Sequence, residues 1–195
     1  MKVRFLLVIF AFLFSLNAIA QNPGRFEVFG GYSHVGYYFY PAYTGPWTLS
    51  SFNGWEASAT VKLIPHLGAE ADFGGLYGAQ SSNCSCPRDR IQTYMGGPRV
   101  TANLRKVNLY AHVLFGGLRY RTTFGGIEGV PLTVDADTTF AMAVGGGADV
   151  WFTRLFGVRL LQADYLRNNN PIPGYFAHPG QHSNFRISSG VVFRF

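Results

Sequence analysis

The 195-residue chain is poor in charged side chains, in long apolar runs and in cysteine. Asp, Glu, Lys and Arg make up 13% of the residues, against about 25% in ordinary soluble proteins. Beyond residue 20 the longest run of apolar residues and glycine spans 140–148, which is far short of the ~20 residues that a membrane-spanning helix needs. The cysteines Cys84 and Cys86 are separated by a single residue. This spacing strains a disulfide and indicates a loop pair, either free or locally oxidised.

Glycine and aromatic residues are abundant instead. The chain has 24 glycines, and Phe, Trp and Tyr make up 16% of it. Disordered segments are rich in charge and depleted in aromatics, and a glycine inside a helix costs about 1 kcal/mol. The composition therefore argues against a disordered chain and against a helical soluble enzyme. It favours short strands with one face in an apolar environment.

Residues 1–20 have the features of a cleavable secretory signal peptide. Lys2 and Arg4 precede an apolar run at 5–16, and Ala18-Ile19-Ala20 is a small-x-small cleavage site. The apolar run is too short for a retained membrane anchor. We expect cleavage after Ala20, which leaves a single exported domain at 21–195. Export, and the lack of a basic run with interleaved aromatics, argue against nucleic acid as a partner.

The rest of the chain alternates between apolar and polar residues, which is the period of a β-strand. In 55–63, for example, every odd position is apolar or aromatic and every even position, from Glu56 to Lys62, is polar. Eight segments have this character: 26–32, 55–63, 67–77, 94–105, 107–119, 139–152, 156–167 and 184–195. Two of them change parity part-way, so we predict β-bulges near Gly116-Gly117 and near Leu160-Leu161.

The connections between these segments alternate strictly between long and short. The long ones are 34–51, 78–90, 121–138 and 168–183, and the short ones are 64–66, 105–106 and 153–155. An up-and-down meander sends alternate connections to opposite ends, so four long loops collect at one end and three tight turns at the other. Outer-membrane barrels have this asymmetry. The sequence therefore predicts an all-β fold, an eight-stranded antiparallel up-and-down transmembrane barrel.

Alternation alone leaves open whether the apolar face points into a soluble barrel or out toward lipid. The polar face carries nearly balanced acids and bases, which suits a narrow lumen because an unpaired buried charge costs several kcal/mol. Aromatic residues also cluster near strand ends, as interfacial girdles do: Phe29, Tyr32, Trp47, Trp55, Tyr77, Tyr94, Trp151, Phe152, Phe193 and Phe195. We therefore place the apolar face outside. The predicted lumen ion-pair network is Glu56, Glu70, Asp72, Arg99, Asp149, Arg159, Asp164 and Arg186.

Five segments carry a resemblance to a known family: 97–100, 111–117, 140–150, 159–165 and 184–195. With them the chain resembles the small outer-membrane β-barrel family, which includes the transmembrane part of outer membrane protein A. The resemblance implies location in the cell outer membrane, contact with outer-membrane lipid, and a C-terminal assembly signal at Phe195, Phe193 and Val191 that the outer-membrane assembly machinery reads. The sequence shows no peptidoglycan-binding domain after the barrel, so a cell-wall anchoring role is not implied.

The leading functional hypothesis is a structural or surface-interaction protein whose external loops meet an unidentified extracellular ligand. An eight-stranded interior is just filled by side chains, which argues against a general diffusion porin. The candidate loop contacts are Tyr37, Tyr38, Tyr40, Tyr43 and Trp47. The alternatives are an outer-membrane lipid hydrolase, a narrow channel for small solutes or ions, and a soluble periplasmic ligand-binding barrel.

We expect no catalytic residue, no metal and no cofactor. His182 and Ser183 faintly resemble the pair of a lipid-deacylating barrel, but adjacent residues of a strand point to opposite faces. Gly145-Gly146-Gly147 is better explained by close packing than by phosphate binding. A zinc site is a weak alternative, built on the two cysteines with His34, His178 and His182 in the long loops. His112 is expected to be a hydrogen-bonded lumen residue.

Overall fold

A computed structural model describes residues 25–39, 48–78, 88–124, 132–135, 138–169 and 181–195. The strands in these ranges are β1 (Phe26–Phe39), β2 (Thr48–Ile64), β3 (Leu67–Gly78), β4 (Arg88–Leu104), β5 (Val107–Phe124), β6 (Leu132–Asp135), β7 (Thr139–Trp151), β8 (Phe156–Asn169) and β9 (Gln181–Arg194). Within them the structure has no helix with the length and apolarity of a membrane span. The predicted signal peptide and cleavage site lie outside the described residues.

Eight of the strands form a closed antiparallel barrel. Each pairs with its neighbour along the chain, and β1 pairs with β9 to close the ring. At the seam, Phe26 and Phe195 exchange two backbone hydrogen bonds, with N–O distances of 3.2 and 2.8 Å. The predicted eight-stranded up-and-down barrel is confirmed.

The short strand β6 was not expected, because its residues fall inside the predicted loop 121–138. It pairs with Arg121–Phe124 at the outer end of β5, while β5 pairs with β7 as far as Leu118. Leu132-Thr133-Val134 is a run with high strand propensity, but the flanking glycines and Pro131 make it resemble a loop. The β5–β6 pairing therefore extends past the barrel at the long-loop end.

The strands also extend further toward the long-loop end than the alternation indicates. β1 continues to Phe39 and β2 begins at Thr48, so the first long connection is shorter than predicted. Two turns of the opposite end are tight: Pro65-His66 joins β2 to β3 and Arg105-Lys106 joins β4 to β5. Arg105 has a φ of 51°, in the left-handed region that such tight turns use.

One of the two predicted bulges is present. The pairing of β8 with β9 shifts between Arg159 and Gln162, which leaves Leu160 and Leu161 both exposed on the outer face. The bulge predicted near Gly116-Gly117 is wrong, since β5 pairs with β7 there without a shift. A bulge was predicted because the charged Arg119 has the opposite parity to Asn108 and His112. Arg119 lies on the outer face near the external end of β5, so no bulge is needed to place it.

The outer surface of the barrel is an apolar belt. Side chains that face outward expose roughly half of their surface, including Tyr32, Trp55, Phe73, Val100, Leu109, Phe115, Phe185 and Ile187. The inward-facing positions of the same strands hold buried acids, arginines and hydroxyls. An apolar exterior around a polar interior is the pattern of a transmembrane barrel, so the apolar face points out, as predicted.

A depth-dependent charge scan tests this arrangement. Val144 lies near the middle of the outer face of β7 and is 43% exposed, whereas Leu104 is exposed at the end of β4. We expect Val144→Arg to lower the free energy of unfolding in lipid vesicles by about 2–4 kcal/mol, and Leu104→Arg by about 0–1 kcal/mol. Denaturant titrations followed by tryptophan fluorescence provide the measurement. Equal costs at the two depths would contradict a membrane-spanning belt.

Candidate functional site

The lumen contains a layer of ion pairs to which all eight barrel strands contribute. Three arginines at its centre, Arg99, Arg159 and Arg186, are among the most deeply buried side chains of the protein. A guanidinium group suits this position because it is always charged and donates in a planar fork that matches carboxylates. The alternation of the strands aims these long side chains inward.

Arg186 of β9 joins three other strands. Its Nη1 donates to Asp72 Oδ1 at 2.9 Å, and its Nη2 and Nε donate to Asp164 Oδ2 at 2.6 and 2.9 Å. The Nε also lies 3.4 Å from Glu56 Oε2. Glu56 in turn accepts from Ser188 Oγ and, at 2.7 Å, from Gln162 Nε2. This arginine therefore links β2, β3, β8 and β9.

Arg159 and Arg99 share the carboxylate of Asp149. Arg159 Nε donates to Asp149 Oδ1 at 2.8 Å, and Arg99 Nη2 donates to Asp149 Oδ2 at 3.0 Å. Both guanidinium groups also lie against the ring of Tyr110, at 4.5 and 3.7 Å from its centroid. Arg99 further approaches Glu70 and Glu27, each at 3.6 Å. The positive charges are thus balanced by carboxylates from several strands and stacked on an aromatic ring.

His112 bridges two carboxylates at the centre of the layer. Its Nδ1 lies 3.0 Å from Glu70 Oε2 and its Nε2 lies 2.9 Å from Asp164 Oδ1. Gln162 completes the network by donating to Asp164 and accepting from the Tyr110 hydroxyl, both at 2.7 Å. His112 is a hydrogen-bonded lumen residue, as its parity predicts.

Two glycines of β7 make room for these groups. Gly145 and Gly147 face inward, between Ala143 and Asp149. A Cβ at Gly145 would overlap Asp164, and one at Gly147 would come within 2.7 Å of the Tyr110 hydroxyl. The triple glycine is therefore explained by close packing, as expected.

Apolar side chains lie on both sides of the charged layer. Toward the long-loop end, the lumen is filled by Val35, Phe52, Leu76, Ile91, Met95, Leu114, Leu118, Ala141, Ala143 and Leu166. Toward the short-turn end, Phe29, Trp151 and Val192 form a smaller cluster. We call these the outer and inner apolar layers. The inner layer corrects two girdle predictions, because Phe29 packs under the Arg159 guanidinium at 4.1 Å and Trp151 under that of Arg194 at 3.7 Å.

Each of the eight residues of the predicted ion-pair network is buried in the lumen and pairs with at least one other member. Glu27, which accepts from Lys62 at 2.6 Å and from Arg194 at 2.8 Å, was not predicted as a member of the network. Tyr110, Gln162 and Ser188 were also not predicted as members. Glu27 shares its parity with Ser33, which would have indicated an inward position, but Phe29 on the same parity concealed the pattern.

The remaining predicted site residues are placed as follows. Tyr37 and Tyr38 belong to β1, where they pair with Ser50 and Leu49. The prediction that they lie in a loop is wrong. Tyr40, Tyr43 and Trp47 lie outside the described residues. Phe195, Phe193 and Val191 face outward at the seam and are 40–52% exposed. Their role as an assembly signal stays a prediction.

The weak zinc and hydrolase alternatives gain no geometric support. His34 lies in β1 rather than in a loop, with Nδ1 2.7 Å from Asn53 Oδ1. Cys84, Cys86 and His178 lie outside the described residues, and in the ranges that are described no cluster of His, Cys, Asp or Glu is arranged to hold a metal. His182 and Ser183 are consecutive residues of β9.

Arginines concentrate on the outer face at the long-loop end of β4 and β5. Arg90 pairs directly with Arg121, and Arg119 occupies the preceding outward position of β5, opposite Gln92. All three side chains are exposed, and the Arg90 guanidinium stacks over Tyr77 at 5.5 Å. We call these three residues the external arginine cluster. Arg167 of β8 is exposed at the same end.

The fold is shared with solved structures of small outer-membrane proteins. Neisserial surface protein A (NspA) matches with a TM-score of 0.63 and 14% identity over 90% of this chain and 100% of that one. Ail, the attachment invasion locus protein of Yersinia pestis, in complex with the heparin analogue sucrose octasulfate, matches with a TM-score of 0.60 and 17% identity over 88% and 99%. OprG of Pseudomonas aeruginosa matches with a TM-score of 0.52 and 10% identity over 88% and 96%.

The chain has the fold of the small outer-membrane β-barrels. No family model and no curated protein matches its sequence. The apolar belt requires lipid around the barrel, and together with this fold it places the protein in an outer membrane. The short turns of such barrels face the periplasm and the long loops face outward.

A single substitution in the lumen of this outer-membrane barrel tests the charge network. Arg186→Met leaves Asp72 and Asp164 buried with their main cation removed, so we expect unfolding to become easier by about 3–5 kcal/mol. Adding Asp72→Asn should recover part of that loss. Arg167→Met on the outer face is the control and should change stability by less than about 0.5 kcal/mol. The check is a denaturant titration in vesicles; similar small effects at both arginines would refute the network's role.

Proposed function

We propose that this protein is a non-conducting, non-enzymatic barrel that holds a binding surface at the outside of the cell. The observation that carries the proposal is the filled lumen, in which a charged layer lies between two apolar layers. Ions cross pores through water-filled or carbonyl-lined passages. A lumen crossed by packed Leu114 and Leu118 above the paired arginines offers neither.

Because the lumen is filled, a binding surface has to lie at the ends of the barrel. At the outer end, the external arginine cluster presents Arg90, Arg119 and Arg121 on two adjacent strands. Arginine forks bind sulfate and phosphate oxygens bidentately. The cluster lies beyond Tyr94 toward the long-loop end and level with Tyr77, which pairs with Arg90; aromatic residues of this kind mark the membrane–water boundary. It is therefore within reach of an extracellular polyanion.

We infer that the extracellular partner is a sulfated or phosphorylated polyanion. The similar barrel Ail has been crystallised with sucrose octasulfate, a heparin analogue. In the present chain the supporting feature is its own arginine cluster, since identity to Ail is only 17%. Outer-membrane lipid around the apolar belt is the second partner of the barrel.

Binding of sucrose octasulfate tests the inferred polyanion site. We expect the refolded protein to bind it and the variant Arg90→Gln/Arg121→Gln to bind about tenfold more weakly, because two charge-assisted contacts are lost. The matched control is Arg25→Gln/Arg167→Gln, which removes two exposed charges outside the cluster, one at each end of the barrel, and should leave affinity within about twofold. Isothermal titration at low salt gives the affinities. Equal losses in both double variants would assign binding to net charge alone and reject the cluster as a site.

Conductance in planar bilayers tests the filled lumen. The purified barrel should give no large, stable conductance steps, because the two apolar layers and the ion pairs between them leave no continuous aqueous path. A general diffusion porin reconstituted in the same bilayers is the positive control. Reproducible open-pore steps from the barrel would overturn the non-conducting function and favour the narrow channel.

A further inference from the structure

The short-turn end of the barrel carries an open cleft that the proposed function does not use. The cleft has a volume of about 360 Å³ and lies where the β4–β5 turn, the β7–β8 turn and the end of β9 meet. Its walls are Arg105, Lys106, Trp151, Phe152, Thr153, Arg154 and Arg194. Four of these side chains are cationic, and no Asp or Glu lines the cleft.

The positive charge of the cleft is only partly neutralised. Arg194 donates to Glu27 at 2.9 Å and stacks on Trp151, so it forms a fixed wall. Arg105, Lys106 and Arg154 are exposed, and none of them forms a side-chain hydrogen bond or ion pair with the described part of the chain. Three unbalanced cations around one concavity attract an anion, and arginine and lysine together suit phosphate.

Hydrogen bonds order the two turns from which these cations project. Trp151 N donates to Lys106 O at 2.8 Å and so ties the two turns together. In the β7–β8 turn, Thr153 Oγ1 accepts from Phe156 N at 2.9 Å. The backbone of the cleft is thus ordered before binding, so only the cationic side chains remain to be ordered by a ligand.

Exposed apolar side chains flank the cleft. Phe152 in its wall is 65% exposed, and Leu155 in the same turn is 62% exposed. Phe193, whose ring is tilted against that of Phe156 with the centroids 5.6 Å apart, continues this apolar surface toward the belt. Aromatic residues at this depth mark the membrane–water boundary. The cations therefore lie at the level of lipid headgroups.

We propose that this cleft binds the phosphate of an anionic phospholipid headgroup in the periplasmic leaflet. The cations contact the phosphate, and Phe152 and Leu155 pack against the glycerol and upper acyl chains. A soluble phosphate has the same anionic chemistry, but it would make no use of the apolar flank. The cleft lies at the opposite end of the barrel from the external arginine cluster. The lipid proposal is therefore independent of the polyanion proposal.

Lipid selectivity is the test. Native mass spectrometry of the detergent-solubilised barrel, titrated with phosphatidylglycerol or phosphatidylcholine, should show tighter retention of phosphatidylglycerol. We expect Lys106→Gln and Arg154→Gln each to weaken that retention about fivefold, since a basic residue near an anionic headgroup contributes ~1 kcal/mol. Arg105→Asn, which keeps a side chain tolerated at positive φ, should have a similar effect. Arg25→Gln, an exposed charge at the same end but outside the cleft, should leave retention unchanged.

Each outcome decides the proposal. Equal retention of the two lipids by the unaltered protein overturns it without any variant. An equal loss in Arg25→Gln also overturns it, because that result would assign selectivity to the general charge of this end. Inorganic phosphate at millimolar concentration should not displace the lipid; if it does, the cleft takes soluble phosphate and the lipid source is wrong. Retention of heat-modifiable migration on gels verifies that each variant has folded.

Discussion

The barrel depends on the pairing of charges that are removed from water. Arg99, Arg159 and Arg186 lie at the centre of the lumen, and the carboxylates that balance them come from β1, β2, β3, β7 and β8. Apolar layers above and below keep water away and lower the local dielectric, which strengthens each pair and makes each unpaired group costly. A strand that slipped by one residue would turn its charges into lipid, so the network also fixes the register. The bulge at Leu160-Leu161 also supports the network, because it lets both Arg159 and Gln162 face the lumen although they are three residues apart.

Filling the lumen in this way separates stability from function. The interior is committed to holding the strands together, which leaves the two rims as the places where other molecules can be bound. The rims differ in chemistry. The outer rim has arginines on extended strand ends beside long connections, whereas the inner rim has cations on tight, hydrogen-bonded turns beside exposed Phe152 and Leu155. One rim is suited to a partner that approaches from solution, and the other to a lipid that already surrounds the barrel.

Much of this was predictable because the strand period is strict where one face is charged. Glu56 to Lys62 on one parity and Trp55 to Leu63 on the other define both the strand and its orientation. The outer apolar layer was not predictable in this way. Leu114 has apolar neighbours on both sides, Val113 and Phe115, and a run that is apolar on both parities does not reveal which side chain faces lipid. Phe29 and Trp151 were assigned to the girdle because sequence cannot show that a guanidinium stacks over them. The end of β1 was underestimated because alternation is lost there: Tyr37, Tyr38 and Phe39 are aromatic at consecutive positions.

The seam between β1 and β9 has a consequence for how the molecule is made. Phe26 pairs with Phe195, and Glu27 with Arg194, so the ring joins the two most distant strands of the sequence. Contacts at such separation form slowly, because a long loop of chain must be ordered first. Until β9 arrives, two strand edges have unsatisfied backbone groups, which lipid cannot hydrate. An incomplete barrel is therefore costly in the membrane, and the ring can close only after β9, the last strand of the chain, has been synthesised.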